Sequence, residues 1–192
     1  MVTQGRLYGD TTSFLSLNIR PLIKIRSTPS QFAPDAAQLH LRKMSTMNVT
    51  YHYCIKRFPS LLERSSHPRF IDVVIDYATG LMWESRSLEA RTIDEAEARV
   101  RELDRLENRG WRLPTLDEAL SLQPVNSDSY AEYPQSYPFN LFESWPDRIW
   151  TADTTPKGVP YEFHHWGEAS AVPYFPRQES IRIYVRCVRS FN

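Results

Sequence analysis

One stretch constrains the fold more than any other: Gly110-Trp111-Arg112-Leu113-Pro114-Thr115-Leu116-Asp117-Glu118. Gly110 follows a helical pattern and suits the left-handed residue that ends many helices, because it has no Cβ to clash. Thr115 can accept a hydrogen bond from the Glu118 backbone N–H, while the Glu118 carboxylate accepts one from the Thr115 N–H. This reciprocal capping box starts a helix. The sequence therefore predicts two helices joined by a short segment, with Trp111 and Leu113 as its apolar residues.

Regular patterns flank this stretch on both sides. Thr92 and Glu95 form an earlier capping box, which opens a helix with apolar residues every three or four positions. Those residues are Ile93, Ala96, Val100, Leu103 and Leu106. A β-hairpin is predicted over residues 70–84, a short helix over 116–122 and a closing strand over 180–189. The apolar face of that strand comprises Ile181, Ile183, Val185 and Cys187.

Residues 1–45 differ in composition from the rest of the chain. Basic residues outnumber acidic ones there, polar residues are scattered, and no apolar period is sustained. We therefore expect a disordered or loosely attached N-terminal arm over 1–45, followed by a domain over 46–192. Met44 and Met47 leave a later translation start open. An alternating apolar pattern then predicts a short strand over 51–55.

The charge balance of the chain excludes some classes of partner. With 23 basic and 23 acidic residues, the chain has no net field to attract nucleic acid or an anionic membrane. No apolar run approaches the roughly 20 residues that cross a bilayer, so we expect neither a nucleic-acid partner nor membrane insertion. The sequence shows no convincing signal peptide, which favours the cytoplasm but leaves the localisation open.

Prolines and aromatic residues are interleaved between residues 124 and 177. Disordered segments rarely hold many aromatics, so we expect an ordered, loop-rich region with short strands near 148–152, 160–166 and 171–175. Aromatic side chains in such loops supply a large contact area at low entropic cost. The candidate ligand-binding aromatics are Tyr137, Trp145, Trp166 and Tyr174. Arg182 adds a basic group for an acidic part of a ligand.

Four blocks of the sequence occur in a recognisable order. They are Asp76-Tyr77-Ala78-Thr79-Gly80-Leu81-Met82-Trp83, Gly110-Trp111-Arg112-Leu113-Pro114-Thr115, Ile149-Trp150-Thr151-Ala152 and Tyr184-Val185-Arg186-Cys187-Val188-Arg189. Together they resemble the DUF1566 family, also called the Lcl C-terminal domain family, over about residues 69–190. The resemblance implies an α+β, C-type-lectin-like fold, in which two helices flank a small, mostly antiparallel sheet with a long loop region. It also implies a binding module, since members include adhesins for sulfated glycans.

The family-like blocks and the helix start after them contain the residues that we expect to be structural. They are Trp83, Trp111, Arg112, Pro114, Thr115, Glu118, Trp150 and Cys187. Many secreted members carry a cysteine in the first helix that can form a disulfide with the cysteine of the final strand, which is Cys187 here. Val100 stands at that helix position in this chain. Cys54 is the other cysteine that could pair with Cys187, and the sequence leaves this open. The calcium-site tripeptides of true C-type lectins are absent, and Gln123-Pro124-Val125 resembles one only superficially, because valine has no oxygen ligand.

Two groups of residues suggest chemistry. Glu162 and His164 would share one face of a strand, with His165 on the other, but a metal site needs three or more converging ligands and nothing nearby completes it. Cys187 could act as a nucleophile, as cysteines do in the formylglycine-generating enzymes. It lies on an apolar strand face, however, where a thiol behaves as a small hydrophobe. We expect no metal, no cofactor and no catalytic residue.

The sequence therefore predicts a non-enzymatic module that binds a glycan or a protein through aromatic-rich loops, without calcium. The expected recognition surface spans about residues 125–148 and 161–182. Two alternatives stay open: a relative of the formylglycine-generating enzymes, and a structural or regulatory protein-interaction domain. The sequence specifies neither the ligand nor the oligomeric state.

Overall fold

The structure is a computed structural model, and it describes residues 23–57, 62–66, 72–107, 110–123, 141–143, 146–165, 170–175 and 181–190. The helices in these ranges are α1 (Pro34–Arg57), α2 (Ile93–Glu107) and α3 (Leu116–Ser121). The strands are β1 (Leu62–Ser66), β2 (Asp72–Asp76), β3 (Leu81–Glu84), β4 (Leu88–Glu89), β5 (Arg148–Thr154), β6 (Pro160–His164), β7 (Ser170–Pro173), β8 (Tyr184–Val185) and β9 (Val188–Ser190). None of the helices within the described ranges is long and apolar enough to cross a membrane.

The strands form two sheets. The first has the order β1-β2-β3-β9 and is antiparallel, with β9 pairing to β3 through Val188 and Trp83. The second has the order β4-β8-β5-β6-β7 and is antiparallel except where β5 meets β8 at Ile149 and Tyr184. The predicted α+β class is confirmed. The three strands expected between residues 148 and 175 correspond to β5, β6 and β7.

The single strand predicted over residues 180–189 is instead two short strands in different sheets. The chain leaves the five-stranded sheet after β8 and enters the four-stranded sheet at β9. Arg186, between them, is buried: its guanidinium lies 4.4 Å from the centre of the Phe142 ring, and its Nε donates to Ser87 Oγ at 2.9 Å. The alternation predicted the buried apolar residues Ile183, Val185 and Cys187. The alternation could not predict the change of sheet. A repeat of two residues shows which face of a strand each side chain lies on, but it does not show which strand is the pairing partner.

Helix α2 packs its apolar side against one face of the five-stranded sheet. Ala96 and Leu103 are fully buried there, in a cluster with Trp111 and Trp150. Burial of a leucine of this kind contributes about 2 kcal/mol. The predicted apolar side of α2 is wrong only at Leu106, which is 41% exposed. That residue lies in the last turn, beyond the packed part of the helix.

Helices α1 and α3 cover the opposite face of the same sheet. Ala37 and Leu41 of α1 are 0% and 2% exposed and pack in a cluster with Leu116 and Ile149. The predicted disordered or loosely attached arm is therefore corrected over residues 23–45, and residues 1–22 lie outside the described part of the chain. The strand predicted over 51–55 is also wrong, because this backbone belongs to α1. A five-residue alternation is too short to establish a period.

Arg26 ties the segment before α1 to the rest of the molecule. Its Nη1 and Nη2 each donate to the Asp153 carboxylate at 2.7 Å, and Nη2 also donates to Asp117 Oδ1 at 2.8 Å. Both carboxylates are buried. Partial burial alone would lower the pKa of Arg26, but the hydrogen bonds to Asp153 and Asp117 raise it above its ordinary value. Ser30 N donates to Asp153 Oδ1 at 2.6 Å, and Phe32 N donates to the Thr154 carbonyl at 2.9 Å.

Candidate functional site

An open groove of about 470 Å³ lies between α2 and the hairpin formed by β5 and β6. We call it the α2–β5 groove. It is lined by Ile93, Glu97, Val100, Arg101, Arg112, Leu113, Thr151, Ala152, Thr154, Gly158 and Pro160. Its volume lies within the range of about 300–1,000 Å³ that is usual for small-molecule sites. By area the lining is mostly apolar, although five of its eleven residues are polar or charged.

Local sequence explains how the groove is built. The Thr92 hydroxyl accepts a hydrogen bond from Glu95 N at 3.2 Å and so begins α2. Helical spacings of three and four then bring the lining residues of α2 to one side. On the opposite wall, Gly158 has a φ of 78°, a left-handed conformation that suits glycine in the turn between β5 and β6. An added Cβ at Gly158 would meet no atom within 4 Å, so this rim of the groove is open.

Arg112 is the most firmly held polar residue of the groove. Arg112 N donates a hydrogen bond to the Val188 carbonyl at 3.0 Å, and Val188 N donates one to the Arg112 carbonyl at 2.9 Å. Its Nη1 and Nη2 donate to the two carboxylate oxygens of Glu118 at 2.7 and 2.6 Å, and Nη1 also donates to the Leu113 carbonyl at 3.1 Å. Such a bidentate pair fixes the plane of the guanidinium.

Glu118 is shared between this pair and the start of α3. Its Oε2 also accepts a hydrogen bond from Thr115 N at 2.9 Å, and its own N–H donates to Thr115 Oγ1 at 3.3 Å. The capping box predicted from the sequence is confirmed. Gly110 has the predicted left-handed conformation, with a φ of 73°. The same carboxylate therefore begins a helix and orients the arginine of the groove.

Glu97 and Arg101 are the remaining charged residues of the lining. They form an ion pair of 3.4 Å, with side chains 54% and 66% exposed. A pair this exposed contributes at most a few tenths of a kcal/mol. The groove therefore combines one well-ordered ion pair, Arg112 with the buried Glu118, and one exposed pair on the surface of α2.

The profile of the Lcl C-terminal domain matches residues 72–189, from the first residue of β2 into β9. The match covers more than half of the chain. The chain belongs to the Lcl C-terminal domain family. The resemblance inferred from the four sequence blocks is thereby confirmed. Neither a curated protein nor a solved structure matches the chain.

Of the residues expected to be structural, all but the partly exposed Arg112 are buried in the Lcl C-terminal domain. Trp83, Trp111 and Trp150 are 0%, 2% and 0% exposed. The indole Nε1 of Trp150 donates to the Ala90 carbonyl at 2.8 Å, and the Pro114 carbonyl accepts a hydrogen bond from Ala152 N at 2.8 Å. These contacts join the segment before α3 to the central strand β5.

Two candidate ligand residues of the Lcl C-terminal domain are within the described ranges, and they lie apart. Tyr174 lies beside the α2–β5 groove: its N–H donates to the Pro160 carbonyl at 2.9 Å, and its ring meets Trp150 edge-on with 4.7 Å between centres. Arg182 lies by β4, where its Nε is 4.0 Å from Glu89 Oε2. The other three candidates, Tyr137, Trp145 and Trp166, lie outside the described residues.

Glu162 and His164 share one face of β6, as their spacing indicates. His164 Nε2 and Arg148 Nη1 each lie 3.4 Å from Glu162 Oε2. His165 has the opposite orientation and is buried against Phe163. Burial, with smaller contributions from the charges of Arg186 and His164, lowers the pKa of His165 to about 3. Within the described ranges, no group of three or more histidines, cysteines and carboxylates is placed to hold a metal.

Cys187 is a free, fully buried thiol. Burial and the nearby carboxylate of Glu84 raise the pKa of this thiol well above its ordinary value. Because the thiolate is the reactive form, a raised pKa leaves little nucleophile at neutral pH. Because Cys187 is free, it takes part in no disulfide in the structure.

We expect Cys187 to resist alkylation in the folded protein. Iodoacetamide at pH 8 should modify it about a hundredfold more slowly in buffer than in urea, since burial blocks access and the raised pKa suppresses the thiolate. Mass spectrometry of the peptide that contains Cys187 measures both rates, and the urea sample is the internal control. Equal rates in the two conditions would contradict this assignment.

The sequence did not indicate the groove. Arg101, Thr154 and Gly158 carry no motif, and they come from separate parts of the chain. Arg112 was expected to be structural; the structure also places it in the groove lining. Only a fold that brings α2 beside β5 could have revealed that these residues share a site.

Proposed function

We propose that the chain is a non-enzymatic ligand-binding module, which receives a segment of a protein or a glycan in the α2–β5 groove without calcium. The observation that carries the proposal is the groove itself. It has a volume of about 470 Å³, a mostly apolar surface and a rigidly held arginine in its lining. Concave apolar sites with a few oriented polar groups are typical of ligand binding.

The charges of the groove support binding rather than catalysis. Glu118 is engaged by Arg112 and by the start of α3, while Glu97 is exposed beside Arg101. Neither carboxylate has the surroundings that prepare an acid or a base for catalysis. The buried thiol of Cys187 likewise does not fit the role of a nucleophile in a formylglycine-generating enzyme.

The proposal includes a C-type-lectin-like arrangement of the fold. The pairing of β9 with β3 supports this part of the proposal. In a C-type-lectin-like fold, the last strand of the domain pairs with an early one. Tyr174 borders the groove, and we propose that the loops carrying Tyr137, Trp145 and Trp166 extend the recognition surface. Arg182 would contribute only to a ligand long enough to reach β4.

Binding should depend on the groove and not on the general surface of α2. We expect Arg101→Trp, which places a bulky ring against the groove wall, to weaken binding of the selected ligand by about tenfold or more. The matched control is Arg105→Trp, an exposed position of the same helix outside the lining. Glycan and peptide arrays, run with a calcium chelator, would supply the ligand and the affinities.

Two results would contradict the proposed function. One is that neither array yields a ligand. The other is that Arg101→Trp and Arg105→Trp bind the selected ligand equally well, which would place the binding site elsewhere. Binding that vanishes in the chelator would overturn the calcium-independent part of the proposal.

A further inference from the structure

Arg112 has hydrogen-bond donors that the protein does not use. A guanidinium carries five N–H groups. Among contacts of the described residues, Nη1 uses both of its hydrogens, on Glu118 and on the Leu113 carbonyl, and Nη2 uses one, on Glu118. The Nε–H and the second Nη2 hydrogen remain. These two lie on the same edge of the planar group and form a parallel fork.

The open edge of Arg112 is accessible from the groove. The Arg112 side chain is 26% exposed and contributes to the groove lining. The fork is therefore available to a molecule in the groove.

A second arginine of the same chain shows what such an edge accepts. Arg26 also donates from Nη1 to a local carbonyl, that of Thr28, and from Nη1 and Nη2 to one carboxylate, that of Asp153. Its remaining edge, Nε and Nη2, donates to Asp117 at 3.3 and 2.8 Å. Arg26 thus holds one carboxylate on each edge. Arg112 likewise donates to a local carbonyl, that of Leu113, and to one carboxylate, that of Glu118. Its second edge has no such carboxylate among the described residues.

We propose that the open edge of Arg112 binds the carboxylate of a ligand whose apolar part lies in the α2–β5 groove. The inference rests on the proposed function, because it names the ligand class of the same groove. Glu118 and the backbone pairing with Val188 hold the fork in place before the ligand arrives, so little ordering accompanies binding.

The lining favours a peptide carboxylate over the acid group of a sugar. The lining contains the aliphatic residues Ile93, Val100, Leu113, Ala152 and Pro160. They suit a leucine-like side chain next to a C-terminal carboxylate, whereas a sugar ring is usually held against an aromatic face. No aromatic residue is among the described lining residues.

N-acetyl-leucine and its amide test the proposal in the full chain. Titration of the ¹⁵N-labelled protein should shift the Arg112 Nε–H signal and the backbone amides of Val100 and Leu113 in a saturable way. We expect the amide, which lacks the second carboxylate oxygen, to bind about tenfold or more weakly. Equal affinities, or shifts that miss Arg112, would overturn the proposal. Tighter binding of glucuronate than of N-acetyl-leucine would replace the peptide ligand with an acidic sugar and so overturn the peptide assignment.

Two substitutions separate the fork from simple attraction between charges. Arg112→Lys keeps the positive charge but removes the fork, and it should reduce the preference for the carboxylate over the amide to about threefold or less. Arg105→Gln removes a positive charge from the exposed side of α2, outside the lining, and leaves the fork, so binding should stay within about threefold of the parent. If Arg112→Lys does not fold, the Nε–H titration of the parent decides alone. The arrays could yield ligands whose binding depends on the groove but shows no preference for a carboxylate. That result would contradict this inference and would still agree with the proposed function.

Discussion

A chain that begins at Ser45 is expected to lose cooperative folding, although the matched family segment starts only at residue 72. The deletion removes Ala37 and Leu41 from the core and takes Arg26 away from two buried carboxylates. Loss of one partner of a buried ion pair costs about 3–5 kcal/mol, and loss of a buried leucine about 2 kcal/mol. Their sum is comparable with the whole stability of a domain, about 5–15 kcal/mol.

Urea unfolding, followed by tryptophan fluorescence, checks this expectation. The matched control is a chain that begins at Leu22, which keeps every contact described for Arg26 and α1. We expect a single cooperative transition for the control and a broad or absent transition for the shorter chain. The same midpoint for both would show that the N-terminal segment contributes nothing to the folded state.

Asp153→Ala is the second substitution with a large expected effect. Asp153 is fully buried and accepts hydrogen bonds from Arg26 Nη1 and Nη2, Ser30 N and Leu116 N. Its removal leaves those donors without their acceptor and the guanidinium with one of its two carboxylates. We expect the free energy of unfolding to fall by about 3–5 kcal/mol.

An exposed pair on the same protein supplies the control for Asp153. Glu97→Ala breaks the exposed pair with Arg101 and should change the free energy of unfolding by less than about 0.5 kcal/mol. Arg26→Met, combined with Asp153→Ala, completes a double-mutant cycle that isolates their interaction. A loss below about 1 kcal/mol for Asp153→Ala would mean that the network does not hold the N-terminal segment.

Local signals in the sequence predicted the elements that depend on near neighbours. The capping box of Thr115 and Glu118 involves residues three apart, and the left-handed Gly110 follows directly from its missing Cβ. The buried side of α2 followed from a 3.6-residue period. Each of these features is decided within a few turns of chain, so a single sequence was sufficient to find it.

The N-terminal segment escaped prediction because its stabilising contacts are distant in sequence. Arg26 is separated from Asp117 by 91 residues and from Asp153 by 127. In composition alone, Arg26 is one basic residue in a basic, polar stretch, which is also typical of disorder. Only the folded chain shows that its charge is compensated in the interior.

The groove was hidden for a related reason. Its walls come from α2, the segment before α3, and the β5–β6 hairpin, which the fold alone brings together. Of the two candidate ligand residues that the structure describes, Tyr174 lies beside the groove and Arg182 lies by β4. Arg112 was expected only as a structural residue. A single sequence could not show that one edge of its guanidinium is satisfied and the other is open.

The double engagement of Glu118 has a consequence for how this module could acquire new specificities. A substitution at Glu118 changes the stability of α3 and the orientation of Arg112 together, so the two properties cannot be adjusted separately there. The rim is different at Arg101, whose side chain is mostly exposed. Diversification by mutation should therefore be tolerated at that position of the rim, around an arginine whose geometry stays constant.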